Sequence, residues 1–183
     1  MRNLFACVLF ALLLCGCGIF SKEPYRGVNY FDFDCKTEKQ YGISINVSDV
    51  TADRPYSDKM VFRVSGNRIE IDEFNRWAGN PSELVKKYFT LSFDDRNAVK
   101  PSDYTMKAEI MQFEADLNKS SVKLMMQISI RSAQTDKSVL QKVYRQEIPV
   151  VKVTGESFAR GIETALGKTA DELVKDIAQQ CLQ

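Results

Sequence analysis

The chain has 183 residues, with 25 Lys and Arg against 24 Asp and Glu, and no histidine. A near-neutral balance lacks the cationic excess that tracks a phosphate backbone, which argues against nucleic acid as a partner. The missing imidazole removes the most frequent general acid, base and metal ligand, so an enzyme is not expected, nor a metal or other cofactor.

Met1 to Asn3 supplies one positive charge, and Leu4 to Cys15 an apolar run of about 12 residues, short of the ~20 that cross a bilayer as a permanent helix. Leu14-Cys15-Gly16-Cys17 resembles the bacterial lipobox, in which the last cysteine is acylated and becomes the first residue. Cleavage before Cys15 would put the bulky Leu14 beside the scissile bond, so Cys17 is the expected lipidation site. Several palmitate-type chains, at about 0.8 kcal/mol per buried methylene, make such an anchor durable. The expected division is a signal peptide over 1–16, a lipidated tether over 17–24 and a single periplasmic domain over 25–183. The 167 residues left after cleavage suit one domain with a sizeable core.

Val28 to Asp34 reads as a strand, with Asn29, Phe31, Phe33 and Cys35 on one face by two-residue alternation. Tyr41 to Val50 follows, where Ile43, Ile45 and Val47 alternate with Ser44, Asn46 and Ser48. Met60–Val64 and Arg68–Asp72 are β-prone runs joined by Ser65-Gly66-Asn67, a tight hairpin signal. Asn80-Pro81-Ser82-Glu83 opens a helix as a capping-box-like start, with Leu84, Val85, Tyr88 and Leu91 as its buried face. Tyr104–Phe113 is the next strand, with Tyr104, Met106, Ala108 and Ile110 on one side, and Leu117 to Ser120 turns the chain. Val122, Leu124, Met126, Ile128 and Ile130 then alternate with Lys123, Met125, Gln127, Ser129 and Arg131, the clearest strand signature in the sequence. After a turn at Gln134–Ser138, Val139–Val150 returns as a strand that Pro149 confines to an edge or an end.

From Gly155 to Leu182 the spacing predicts a helix about 40 Å long, which Gly161 and Gly167 are expected to loosen. Phe158, Ile162, Leu166, Thr169, Leu173, Ile177 and Cys181 form its apolar stripe; Arg160, Glu163, Lys168, Asp171, Glu172, Lys175 and Asp176 form its wet face. Cys35 and Cys181 therefore both face the expected core, and an oxidising compartment favours a disulfide between them, with two buried free thiols as the alternative. The fold class is α+β: a largely antiparallel or mixed sheet with a short middle helix and a long C-terminal helix on one face.

Candidate partner-binding residues follow from the pattern. Met125 lies opposite the apolar face of its strand and with Met111 could mark an adaptable apolar patch for a partner or a lipid. Phe74 and Trp77 suit an interface anchor, although an aromatic pair in front of a helix equally suits core packing. Asp32/Asp34 and Asp94-Asp95 read as solvated loop acids, and no catalytic or metal-binding set is assigned.

Three stretches in order carry a family resemblance. They are the lipobox with its tether and the strand Tyr25 to Asp34; Phe74-Asn75-Arg76-Trp77-Ala78-Gly79-Asn80-Pro81 with Leu84; and Tyr104-Thr105-Met106 with Gln112-Phe113-Glu114-Ala115-Asp116, a meander and the closing helix. In this order the pieces resemble the ABC-type transport auxiliary lipoproteins. The Lys36-to-Gln40 polar run and the cysteine pair depart from that pattern. The resemblance implies a non-catalytic accessory or docking component of a system that moves lipids or other hydrophobic molecules between membranes. Its implied partners are a mammalian-cell-entry-type periplasmic protein and an inner-membrane permease. It also implies an outer-membrane anchor facing the periplasm, which Gly18 after the acylated cysteine suits, and a ring-like homo-oligomer. An envelope-assembly or inhibitory lipoprotein acting on another periplasmic or outer-membrane machine is the alternative reading.

Overall fold

A computed structural model describes residues 26–34, 41, 43–93 and 102–180. Through them the chain runs β1 (Asn29–Phe31), β2 (Ile45–Ala52), β3 (Lys59–Ser65), β4 (Arg68–Trp77), α1 (Pro81–Phe93), β5 (Tyr104–Asp116), β6 (Ser121–Ser132), β7 (Ser138–Pro149) and α2 (Gly155–Gln180). The class is α+β, as expected, with one seven-stranded sheet.

Direction is where the sheet becomes mixed. Strands β5, β6 and β7 form an antiparallel meander. The other edge of β5 is shared by two strands that both run parallel to it: β2 along Tyr104–Ile110 and β3 at Ala115–Asp116. Beyond β3 come β4, antiparallel to it, and β1, parallel to β4. Helix α1 packs on β2, and α2 crosses β7 and β6.

Period-two alternation fills the core from the sheet side: Val122, Leu124, Met126, Ile128 and Ile130 are each no more than 2% exposed. Period-3.6 spacing fills it from the helix side, where Phe158, Ile162, Leu166, Thr169, Leu173 and Ile177 are fully buried. Both helix starts are capped. The Asn80 amide donates to Glu83 (3.2 Å). At α2, Thr154 and Ser157 exchange bonds, each amide donating to the other's hydroxyl at 2.9 and 3.1 Å.

Several expectations need correction. The first strand is only three residues long, and Asn29 is exposed and bonded to Asn75 rather than core-facing. Strand β4 runs on to Trp77, because the Asp72 carboxylate accepts from the Phe74 and Asn75 amides (2.7 and 3.1 Å) and holds a bulge that lets pairing resume. Leu91 is half-buried, while Phe89 and Phe93 stack in the core beside it.

Gly161 does not loosen α2, which is continuous; it lets the helix approach β6. A Cβ there would lie 2.7 Å from Val122 Cγ2 and 2.8 Å from its Cβ. Gly161→Ala is therefore expected to lower stability by about 1–3 kcal/mol through overpacking, outweighing the ~1 kcal/mol that alanine adds in helix propensity. Urea melts of the double-mutant cycle with Val122→Ala should show the penalty vanishing once the valine methyls are gone.

Candidate functional site

Among the described residues no helix covers the sheet face opposite α1 and α2, and two features mark that face. First, β5 carries a bulge at Met111, between Ile110 and Gln112. This is where its partner changes from β2 to β3, and the connection at 53–58 crosses the gap, Asp53 donating its amide to the Ile110 carbonyl (2.9 Å). Met125 on β6 pairs with Gln112 and Arg145. Met111 and Met125 are both half-buried, set among Lys123, Gln127 and Ser129, so the expected patch is two thioethers in a polar face.

Second, Glu114 lies on this nominally wet face yet is fully buried. Arg63 grips it from β3 through Nε (2.5 Å) and Nη2 (2.8 Å), and the Gln112 amide (2.6 Å) and the Tyr56 hydroxyl (3.4 Å) also donate to it. Burial, then the Glu114 charge, pushes the Tyr56 hydroxyl up to about 12. Sequence reading passed over this network, although Glu and Asp at alternate positions of a core strand were its signal.

Nearby, Asp116 accepts from Lys123 Nζ (2.6 Å) and from the Asn118 and Lys119 amides (both 3.0 Å). At the lower end of α2, Asp176 accepts from Tyr144 (2.7 Å) and Lys142 (2.8 Å), which ties helix to strand. Burial by itself would raise both carboxyl groups, but these bonds outweigh it and hold each below the ordinary carboxylate range. With the folded pKa depressed, the stability each contributes is present above the unfolded value of about 3.9 and is lost as pH falls through the folded value. Asp116→Asn and Asp176→Asn should each flatten the loss of stability below about pH 4, measured by urea melts across an acid series.

A different character prevails where β3 and β5 end and α2 begins. A cleft of about 500 Å³ opens there between Phe62, Ile71, Phe74, Leu117, Val153 and Gly155. Gly155 is required by close approach, since a Cβ would lie 2.5 Å from the Phe31 ring. A second cleft of about 490 Å³ lies across Thr154, between Pro149, Val151, Lys152 and Arg160.

The residues assigned to partner binding thus separate. Phe74 is 40% exposed on the first cleft, with the Arg26 guanidinium over its ring at 5.5 Å. Trp77 is 2% exposed, its ring meeting Phe33, Phe113 and Phe158 edge-on at 5.8, 5.1 and 5.2 Å, so it is a core residue and not a surface anchor. Cys17, Cys35, Cys181, Asp94 and Asp95 lie outside the described residues. Asp32 bonds Lys87 (3.2 Å) and the Phe33 amide (2.8 Å), and among the described residues no three acidic or cysteine side chains are grouped to hold a metal ion.

A mixed sheet backed on one face by a short and a long helix, behind a lipobox-like start, defines an α+β lipoprotein domain. Residues 36–174 match the model of the ABC-type transport auxiliary lipoprotein component family. The chain belongs to that family. The fold is shared with a crystal structure of a protein from Xanthomonas campestris at TM-score 0.65 and 16% identity, covering 86% of this chain and 98% of that one. It is shared also with an uncharacterized protein at TM-score 0.68 and 12% identity, covering 83% and 99%. No curated protein matches the sequence.

Proposed function

We propose that this chain is a lipid-anchored accessory of an ABC-type transport system for lipids or other hydrophobic molecules, docking a mammalian-cell-entry-type periplasmic protein that works with an inner-membrane permease. The observation that carries the reading is the family match over residues 36–174, to an auxiliary transport lipoprotein and not to an enzyme family. Acylated Cys17 followed by Gly18 gives the address, the outer membrane facing the periplasm. The docking surface is the open face of β5, β6 and β7 around Met111 and Met125, since the helices occupy the other face. A ring of copies would give such a conduit a symmetric end piece.

The test is affinity purification of the full-length lipoprotein from crosslinked, detergent-extracted membranes with mass spectrometry of everything retained. A mammalian-cell-entry-type protein is expected, and Met125→Glu with Met111→Glu should lose it while the variant still folds. Recovery of a different envelope machine without such a protein would discard the transport reading in favour of an assembly lipoprotein.

A further inference from the structure

Among the described residues, six large hydrophobic side chains are exposed: Val28 (40%), Tyr30 (66%), Ile71 (47%), Phe74 (40%), Leu117 (44%) and Val151 (104%). Four of them are gathered together. Ile71, Phe74 and Leu117 line the first cleft, Val151 lines the second, and the two clefts meet at Thr154. Val28 and Tyr30 belong to the β1 segment, where Tyr30 pairs with Arg76 at the end of β4 remote from the β3–β4 turn, and they line neither cleft. The other four therefore lie along one continuous run of cleft, from β4 past the β5–β6 turn to the start of α2. Exposed apolar side chains gathered on one rim mark a surface that meets a protein or a membrane.

What covers them is indicated by where the chain enters. The first described residue, Arg26, stacks on Phe74 at the rim of the first cleft. Eight residues, 18 to 25, separate Arg26 from the acylated cysteine. Fully extended they reach about 30 Å, so this end is the part of the domain held nearest the bilayer. Its carboxylates are engaged: Glu70 by Arg68, Glu73 by Lys59 (2.6 Å), Glu156 by Arg160, and Asp72 by backbone amides. That pairing reduces repulsion from anionic headgroups, and Lys119 and Lys152 stand among the apolar residues to meet them.

We infer that this end of the sheet is a lipid-contacting face, which seats Leu117, Val151 and their neighbours in the headgroup region of the membrane that holds Cys17. The inference rests on the proposed anchor and adds an orientation to it: the domain lies against the membrane by its turns, leaving the open sheet face lateral and free for a partner.

The test uses the full-length lipoprotein reconstituted in vesicles of phosphatidylethanolamine and phosphatidylglycerol containing brominated lipid. A second tryptophan is introduced as Val151→Trp or Leu117→Trp, with Asp136→Trp on the β6–β7 turn at the opposite end as control. Trp77 supplies a constant buried background. The expected result is loss of at least half of the added emission at 151 and 117 and none at 136. Protein that floats with the vesicles but shows no quenching at 151 and 117, or equal quenching at all three sites, overturns the lipid-contacting face and leaves the anchor standing. A blue shift without quenching, the mark of a protein occupant, also overturns it. Protein that fails to float removes the anchor, and the inference with it.

Discussion

Trp77→Ala is expected to cost about 3–5 kcal/mol of stability, read as a lower urea midpoint with little change in slope. The indole is enclosed by Phe33, Phe113 and Phe158, from the segment after β1, from β5 and from α2. Its removal leaves a cavity that three separate elements would have to collapse to fill. Edge-on aromatic pairs add about 0.5–1.5 kcal/mol each beyond area burial, which places the variant toward the upper end of that range. Against the 5–15 kcal/mol that holds a typical domain folded, this is a large fraction. Phe74→Ala, three residues earlier on the same strand, removes a ring already 40% exposed and should change stability by less than about 1 kcal/mol. The pair separates the two readings of this aromatic stretch. A tryptophan that anchored a partner would leave the isolated protein unaffected when replaced, and unchanged stability in Trp77→Ala would refute its placement in the core.

Much of the layer structure was legible because it is written as periodicity. Val122 to Ile130 in alternation and Phe158 to Ile177 at helical steps specify which side of each element is buried, and both faces lie where the pattern put them. The capping signals at Asn80 and the turn at Gly66, which adopts φ +42°, also speak locally. Direction and neighbour do not. A period of two is the same in parallel and antiparallel ladders, so nothing in Ile45-Asn46-Val47 says that β2 runs parallel to β5, or that β3 takes over the same edge where β2 stops. The Met111 bulge marks that handover and shifts the alternation by one residue. Exposure of Val151 and Leu117 was illegible for a related reason. An apolar residue in a turn carries no periodic neighbour to show which way it faces, and only the tertiary gathering of turns makes a patch of them.

Arg63→Ala is expected to destabilise the protein by about 3–5 kcal/mol, and more than Glu114→Ala does. The asymmetry follows from burial. The Glu114 side chain is 0% exposed, whereas Arg63 is 23% exposed. Without Arg63 the carboxylate keeps Gln112 and Tyr56 as donors but has no countercharge and no path to water. Without Glu114 the guanidinium turns outward, keeping its bond to the Gly66 carbonyl (2.8 Å), and only neutral donors are stranded, at about 1–3 kcal/mol. Glu114→Gln should fall between wild type and Glu114→Ala, and by removing the negative charge it should bring the Tyr56 phenol down from about 12, though not to its free value, since burial is the larger cause. Alkaline difference absorbance of the folded variant reads that shift. Replacing both members with apolar residues of similar volume should come close to wild-type stability, because neither charge is then left unpaired. If Arg63→Ala proved milder than Glu114→Ala, the carboxylate must reach water, and the connection at 53–58 does not seal the gap between β2 and β3. The open face would then be a yielding surface at its centre instead of a rigid one, and the methionines beside it would have to be ordered by the partner they meet.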